Sequence, residues 1–151
     1  MGSRKVCSVD ANGYVTVDLA GTCVITVSQD GNDSNGLATV YGTVSDTITV
    51  NVAATAPSVL VNPTVKSSDK ALVLTWGIPT DDGGRHLTKF EVDHQIRGGS
   101  NVVLTINSTD AFWDAATSTY TYTITGLTNG SYYAIDIFAK NESGLKGPSL
   151  G

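Results

Sequence analysis

The stretch that most constrains the fold of this chain is residues 126–141, GLTNGSYYAIDIFAKN. Its first residues are rich in glycine and asparagine, which favour a tight turn. The remainder carries apolar side chains at every second position, at Tyr133, Ile135, Ile137 and Ala139. Because successive side chains of a β-strand point to opposite faces, this alternation predicts a strand with one face in a hydrophobic core.

Similar short segments recur along the chain and are separated by turn-forming residues. They are 6–10, 14–19, 22–29, 37–44 and 47–53, and then 58–65, 71–76, 87–96, 102–106 and 120–127. No segment shows a sustained helical period. A change in composition and Pro57 indicate a linker at residues 54–57. The pattern predicts an all-β protein divided at this linker into residues 1–54 and 55–151, with the short strands and frequent turns of a sandwich or barrel.

The charge distribution excludes some classes of function. The formal net charge is -5, and no Lys or Arg lies between Lys5 and Lys66. A nucleic-acid-binding surface needs clustered basic side chains to neutralise phosphates, so we expect no nucleic-acid partner. No apolar run approaches the roughly 20 residues of a membrane-spanning helix, so we expect no membrane insertion.

Residues 55–147 resemble a fibronectin type III domain. The matching segments are LVLTW followed by Pro79, then LTKFEV, TITGL and the turn-and-strand segment GLTNGSYYAIDIFAKNESG. The resemblance implies a seven-stranded sandwich in which Tyr133 forms a tyrosine corner, with its hydroxyl bonded to the backbone of the turn that begins at Leu127. It also implies contacts with proteins or glycans through loops and sheet edges.

Residues 6–53 resemble the second half of a bacterial Ig-like repeat, through CSVDANGYVT, AGTCVITVSQDGN and TITVNV. The resemblance implies a partial first sandwich, and the second sandwich lacks a full last strand after Gly147. Two explanations fit: a fragment of a longer modular protein, or strand donation between neighbouring copies. Strand donation would use the open edge of the 133–141 strand, opposite its pairing with residues 87–96.

Cys7 and Cys23 are the only cysteines. In a one-sheet meander, turns at residues 12–13 and 20–21 place both of them opposite Asp18, roughly 9–10 Å apart and too far for a disulfide. If the chain instead crosses between sheets at residues 20–21, as the Ig resemblance implies, the two face each other and form a bridge. The alternative is a pair of buried free thiols.

A calcium loop is the one metal site that the sequence suggests. Asp30, Asn32 and Ser34 alternate like its first ligands, but Asn35 and Tyr41 replace the expected glycine and glutamate. We therefore favour a hairpin loop without a metal.

The sequence contains no convincing catalytic set. Asp81 and Asp82 are adjacent on a glycine-rich loop, so their side chains point apart, and we expect a solvated turn. His86 and His94 lack a partner nucleophile or ligand cluster, and His94 continues the alternation of a strand, where we expect it to be partly buried. We expect no enzyme and no cofactor.

Phe112 and Trp113 lie in a segment without a strand pattern. If exposed, they offer ring faces for stacking on a sugar, and if buried, they cap one end of the sandwich. We favour capping, because large aromatic side chains are mostly buried.

These observations predict a non-catalytic extracellular structural or adhesion module of a bacterial surface protein or phage virion. It would act as a spacer or assembly unit, with copies of itself or neighbouring subunits as partners. The alternative is an accessory carbohydrate-associated module of a secreted polysaccharide-degrading enzyme, with glycan contacts through Trp113 and Phe112.

Overall fold

The computed structural model describes residues 4–31 and 42–149. The chain forms two compact units, Met1–Ala54 and Thr55–Gly151. All regular elements of the described residues are β-strands, so the prediction of an all-β fold is confirmed. No helix in the described ranges is long and apolar enough to cross a membrane.

In the first unit, the described residues 4–31 and 42–54 form two antiparallel ribbons. One ribbon pairs β1 (Cys7–Val9) with β2 (Val15–Val17), and the other pairs β3 (Gly21–Gln29) with β4 (Val44–Val52). Most of the predicted strand 37–44 lies outside the described residues.

Alternation places most apolar side chains of each ribbon on one face. In the first ribbon Val9 is opposite Val15, and in the second Ile25 is opposite Ile48. Many of these side chains are about half exposed, for example Val17 at 50% and Ile48 at 54%. The described part of this unit therefore covers its apolar faces only partly.

The expected register of the first hairpin was wrong by one residue. Cys7 lies opposite Val17 rather than Asp18. The connection is wider than a two-residue turn, because the amide of Asp10 donates to the carbonyl of Tyr14 across the loop at 3.0 Å. The side-chain carboxylate of Asp10 also accepts hydrogen bonds from the amides of Asn12 and Tyr14. An aspartate that bonds to nearby backbone amides in this way stabilises a loop.

The described part of the second unit, residues 55–149, contains seven strands in two sheets. Their bounds are β5 (Val61–Ser68), β6 (Ala71–Gly77), β7 (Leu87–Ile96), β8 (Asn101–Asn107), β9 (Phe112–Asp114), β10 (Thr119–Thr125) and β11 (Tyr133–Asn141). One sheet has the order β5-β6-β10-β9 and the other the order β11-β7-β8. All neighbouring strands are antiparallel.

The hydrophobic core of the second unit is formed by the inner faces of these two sheets. Leu74 and Trp76 come from one sheet, and Phe90, Val92 and Ala139 from the other, all at 0% exposure. The indole of Trp76 meets the ring of Phe90 edge-on, with centroids 5.0 Å apart. Side chains of this size each contribute about 2–3 kcal/mol when fully buried, and they fix the position of β11 against β7.

Candidate functional site

The start of β11 is anchored by a tyrosine. The hydroxyl of Tyr133 accepts a hydrogen bond from the amide of Thr128 at 3.0 Å. Glycines at both ends of the preceding turn, Gly126 and Gly130, have φ of 78° and 75°, a backbone region that side-chain-bearing residues rarely enter. Leu127, at the start of the turn, packs against the core.

The turn is also tied to the loop between β5 and β6. The side-chain oxygen of Asn129 accepts from the amide of Lys70 at 2.8 Å, and its amide group donates to Asp69 at 2.7 Å. The amide of Leu127 donates to the Lys70 carbonyl at 2.9 Å. These bonds attach the turn at the start of β11 to the loop between β5 and β6, which belong to the other sheet.

One edge of β11 pairs with β7, and the other is open along most of its length. At the open edge, the amide of Gly147 donates to the Ala139 carbonyl at 2.9 Å, and Lys146 lies opposite Lys140. Between Tyr133 and Ala139, this edge has no strand partner among residues 4–31 and 42–149.

The direction of the backbone groups follows from this contact. Since the carbonyl of Ala139 points away from β7, alternation directs the peptide groups of Ile137, Ile135 and Tyr133 the same way. The carbonyl of Tyr132 agrees with this phase, because it accepts from the amide of Arg97 on the β7 side at 2.9 Å. Among residues 4–31 and 42–149, no strand pairs with the outward peptide groups of Tyr133, Ile135 and Ile137.

A shallow groove of about 430 Å³ lies where the start of β11 meets the end of β7. Arg97 and Gln95 line it from β7 and the following turn, and Tyr132 and Ala134 line it from β11 and the residue before it. The ring of Tyr132 is 75% exposed.

A charge cluster lies at the other end, on the outer face of the same sheet. The carboxylate of Glu91 accepts from the ammonium of Lys140 at 2.8 Å and also from that of Lys146. Lys146 lies 3.7 Å from a carboxylate oxygen of Asp93 and 3.6 Å from the centre of the Phe138 ring. The cluster fixes the segment after β11 on this sheet.

The cluster shifts the acidity of two of its members. Hydrogen bonds from Lys140 and Lys146 hold the pKa of Glu91 below its ordinary value, against the opposing effect of burial. The hydrogen bond to Glu91 raises the pKa of Lys146. Both shifts favour the charged forms, so the ion pairs are stable at neutral pH.

Next to this cluster, two carboxylates lie directly opposite each other. Asp136 of β11 pairs in register with Asp93 of β7. One oxygen of Asp93 is buried without a hydrogen-bond partner, and the side chain of Asp136 forms no hydrogen bond or ion pair with the described residues. Like charges at such a position are unfavourable.

The buried side chain of Asn141 has a role that the sequence did not indicate. Its amide group donates to the carbonyls of Thr55 and Asp82, at 2.8 and 3.2 Å, and its oxygen accepts from the amide of Leu145 at 3.1 Å. It therefore joins the start of the unit, the loop before β7 and the segment after β11. Such long-range partners leave no local sequence signal beyond the presence of asparagine at the end of a strand.

Asp81 and Asp82 stabilise their own loop. Their carboxylates accept from the amides of Gly83 and Gly84, at 2.8 and 3.0 Å. A side chain at Gly83, which has φ of 73°, would meet the carbonyl of Thr55. The backbones of these two residues are also hydrogen-bonded, since the Thr55 amide donates to the Gly83 carbonyl at 3.0 Å.

A disulfide joins Cys7 and Cys23, whose Cα atoms are 5.7 Å apart. Cys7 lies in β1 and Cys23 in β3, so the bond connects the two ribbons of the first unit. Of the three calcium-loop candidates, Asp30 is described and exposed, and Asn32 and Ser34 lie outside the described residues. Within the described ranges no group of three or more His, Cys, Asp or Glu side chains is arranged to hold a metal ion.

The expectation that the aromatic pair caps the sandwich was wrong for Phe112. Phe112 and Trp113 belong to the edge strand β9, and the Phe112 side chain is 70% exposed. Trp113 is 39% exposed and packs against Tyr120, with ring centroids 4.6 Å apart. Adjacent residues of a strand face opposite sides, so only one of the two can reach the core side of the sheet.

Neither His86 nor His94 belongs to a group of three or more side chains that could hold a metal ion among the described residues. The carbonyl of His86 accepts from the amide of Glu142 at 2.8 Å. His94 is partly buried opposite Ile135 of β11, on the inner face of the sheet.

The second unit is thus a two-sheet sandwich module with a tyrosine corner, an open strand edge and an outer-face charge cluster. A family model described as "Fibronectin type III domain" matches residues 55–150. The chain belongs to the fibronectin type III family. Domains of this family are generally non-catalytic structural or adhesion modules, commonly mediate protein–protein contacts and commonly occur in extracellular or surface proteins.

Solved structures show the same fold. Domains d3–d4 of the rat CD45 extracellular region match with a TM-score of 0.56 and 16% identity, over 99% of this chain and 72% of that one. The third fibronectin III domain of human KIAA0343 matches with a TM-score of 0.52 and 17% identity, over 64% and 78%. The twitchin kinase region from C. elegans matches with a TM-score of 0.50 and 24% identity, and the match covers 64% of this chain but 16% of that one.

Proposed function

We propose that this chain is a non-catalytic extracellular module, a spacer and assembly unit that joins protein partners through the open edge of β11. The observation that carries the proposal is the row of outward peptide groups from Tyr133 to Ile137, next to the point where Gly147 already bonds to the same edge. Strand addition to such an edge is a general mode of protein recognition.

Other edges of the second unit are less suited to strand addition. β9 has three residues, and β5 carries a register irregularity after Val61 together with Lys66, features that protect an edge. The side chains of β8 are mostly exposed, so an added strand there would extend little of the core. By contrast, Ile137 and Ala139 of β11 are 7% and 0% exposed.

We further propose that the module belongs to a bacterial surface protein or a phage virion, where copies assemble by strand donation. The disulfide between Cys7 and Cys23 supports an oxidising, extracellular setting. The resemblance of residues 6–53 to a bacterial Ig-like repeat supports this origin.

Photo-cross-linking tests the assembly. A photo-reactive amino acid is placed at Ala134, beside the open edge, and as a matched control at Lys66, on the outer face of the other sheet. We expect a cross-linked dimer of the full chain from position 134 and none from position 66. Equal cross-linking at both positions, or a monomer at every protein concentration in sedimentation velocity, would refute assembly through this edge.

A second candidate function is glycan contact by the outer face of the β5-β6-β10-β9 sheet. Thr64, Thr75, Thr121 and Phe112 form one row across the four strands. An exposed ring beside a row of hydroxyls offers stacking and hydrogen bonds to a sugar, as an accessory domain of a polysaccharide-degrading enzyme requires.

Affinity electrophoresis in gels containing soluble polysaccharides tests this candidate. We expect Phe112→Ala to abolish any retardation of the full chain, and the control Tyr132→Ala, which changes an exposed ring outside this face, to leave it unchanged. Retardation that survives Phe112→Ala would remove this face as the glycan site.

A further inference from the structure

We propose that a small pocket around Gly77, on the outer face of the β5-β6-β10-β9 sheet, binds a single uncharged pyranose ring of a glycan. This Gly77 pocket is lined by residues 61–62, 77–78 and 117–119. The inference rests on the second candidate function, glycan contact by this face, and it specifies the place of the contact and the class of sugar.

The pocket arises where a glycine meets an irregular edge strand. Gly77, at the end of β6, lies opposite Val61 of β5 and Thr119 of β10. A Cβ at Gly77 would come within 3.2 Å of the Val61 side chain and carbonyl, so glycine leaves open a space that a side chain would fill. The register of β5 shifts between Val61 and Thr64. A bulge of this kind redirects side chains, and Asn62 within it lines the pocket.

Two residues of the lining have an unusual backbone conformation. Asn62 and Ser118 have φ of 46° and 53°, and Lys70 is the only other non-glycine residue in the described ranges with a positive φ. Such conformations cost free energy and cluster at functional sites. Their occurrence together at one pocket supports a binding role for it.

The size of the pocket and the chemistry of its lining fit a sugar ring. Its volume of about 240 Å³ is below the range of about 300–1,000 Å³ for drug-sized ligands, so it fits one ring. None of the described residues that line it is charged. Four of them have polar side chains: Asn62, Thr117, Ser118 and Thr119.

The same pocket also has an apolar side. Val61 and Ile78 are 36% and 45% exposed and present aliphatic surface to a ligand. A pyranose matches this combination, because its C–H groups are apolar and its hydroxyls both donate and accept hydrogen bonds.

Asp114, next to the pocket, sets the direction of two hydroxyl groups. Hydrogen bonds from the Thr117 hydroxyl and the Ala116 amide lower the pKa of Asp114, so its carboxylate is ionised at neutral pH and only accepts. The Thr117 hydroxyl therefore donates its single proton to Asp114, at 2.9 Å. The Thr119 hydroxyl lies 2.8 Å from that of Thr117 and donates to it. The oxygen of Thr119 is thus left as an acceptor for a ligand hydroxyl.

The carboxylate of Asp114 also selects against acidic sugars. Asp114 lies opposite Thr119 in the register of β9 and β10, so a negative charge in the pocket would be repelled. A neutral sugar supplies the hydroxyl donor that Thr119 accepts without this repulsion.

Titration of the full chain, labelled with ¹⁵N, tests the pocket. The neutral probes are the methyl glycosides of glucose, mannose and galactose, and the charged probe is methyl glucuronide. We expect at least one neutral probe to shift the amide signals of residues 61–62, 77–78 and 117–119, with a dissociation constant in the millimolar range. The glucuronide should bind about threefold more weakly than the glucoside.

Variants of the full chain identify the groups responsible. Thr119→Val keeps the shape but removes the acceptor, and it should weaken binding about fivefold, the value of one hydrogen bond. Thr123→Val, the same change on the same face of β10 outside the pocket, is the matched control and should bind as the wild type does. Asp114→Asn should abolish the preference over the glucuronide. Spectra unchanged away from each substitution establish that the variants are folded.

The outcomes distinguish this pocket from glycan contact in general. The Gly77 pocket would be overturned if no neutral probe shifts its amides, or if Thr119→Val and Thr123→Val lose binding equally. Retardation by a polysaccharide that is lost in Phe112→Ala but unchanged in Thr119→Val would also overturn it, and would leave glycan contact by the outer face supported. The absence of both shifts and retardation would overturn both. Binding of the glucuronide as tight as that of the glucoside would overturn the preference for an uncharged ring.

Discussion

Tyr133 holds the start of β11 through a single hydroxyl group, which accepts from the Thr128 amide. We expect Tyr133→Phe to lower the free energy of unfolding of the second unit by about 1 kcal/mol, the net value of one hydrogen bond. Urea denaturation followed by tryptophan fluorescence measures this, because Trp76 and Trp113 both lie in that unit. Tyr132→Phe, at a ring 75% exposed, is the control, and an equal loss in both variants would contradict the assignment.

Glu91 gives the second unit a dependence on pH. Its pKa in the folded state lies below its ordinary value of 4.5, so the stability that it contributes is present above that value and is lost as the pH falls through the folded pKa. We expect Glu91→Gln to cost about 1–2 kcal/mol at neutral pH, because two charged hydrogen bonds are weakened.

As the pH falls below the ordinary pKa of glutamate, the same variant should also lose stability less steeply than the wild type. Unfolding midpoints in urea over a series of acidic buffers measure the slope. Glu142→Gln, a change at an exposed carboxylate, should reproduce the wild-type slope. A wild-type slope in Glu91→Gln would show that the pH dependence arises elsewhere.

At the scale of elements, the disulfide is the covalent link between the two ribbons of the first unit. Isolated two-stranded ribbons are marginally stable in water, and a bridge closing a loop of this length contributes about 3 kcal/mol. We therefore expect reduction to make residues 4–54 sensitive to proteases.

Limited proteolysis with mass spectrometry measures this sensitivity with and without a reductant. Tryptophan fluorescence of the second unit, which contains no cysteine, should keep its unfolding midpoint and serves as the internal control. First-unit peptides that stay protected after reduction would show that packing alone holds the ribbons together.

Local pattern predicted some of these elements and could not predict others. Alternation identified β6, β7 and β11, because each has one face in the core. It missed β9, whose three residues are too few to show a period. Phe112 was predicted to be buried from its residue type alone, although the face of the sheet that it occupies depends on how β9 pairs with β10.

The residues of the candidate site show the same limit. The turn before Tyr133 is readable in sequence, because glycine and asparagine are required there. Glu91 contacts Lys140 and Lys146, which are 49 and 55 residues away from it in the sequence. Such pairs follow from strand order, which a single sequence does not specify.

At the scale of the whole molecule, the two units differ in how completely they bury apolar side chains. The second has a closed core around Trp76 and Phe90, both at 0% exposure, whereas Val17 and Val27 of the first are 50% and 58% exposed. Local opening is easiest where few apolar contacts resist it. We expect amides of β1 to β4 to exchange with solvent at least about 100-fold faster than those of β6, β7 and β10.

Hydrogen exchange of the intact chain, read residue by residue by NMR, measures this difference and provides a control within one strand. Amides of Ile135 and Ile137 at the open edge should exchange quickly, and those of Asp136 and Phe138, bonded to β7, slowly. Slow exchange of β1 to β4 that persists on dilution would contradict the argument from burial. Slow exchange that disappears on dilution would instead show that a second copy covers these apolar faces, because only association depends on concentration.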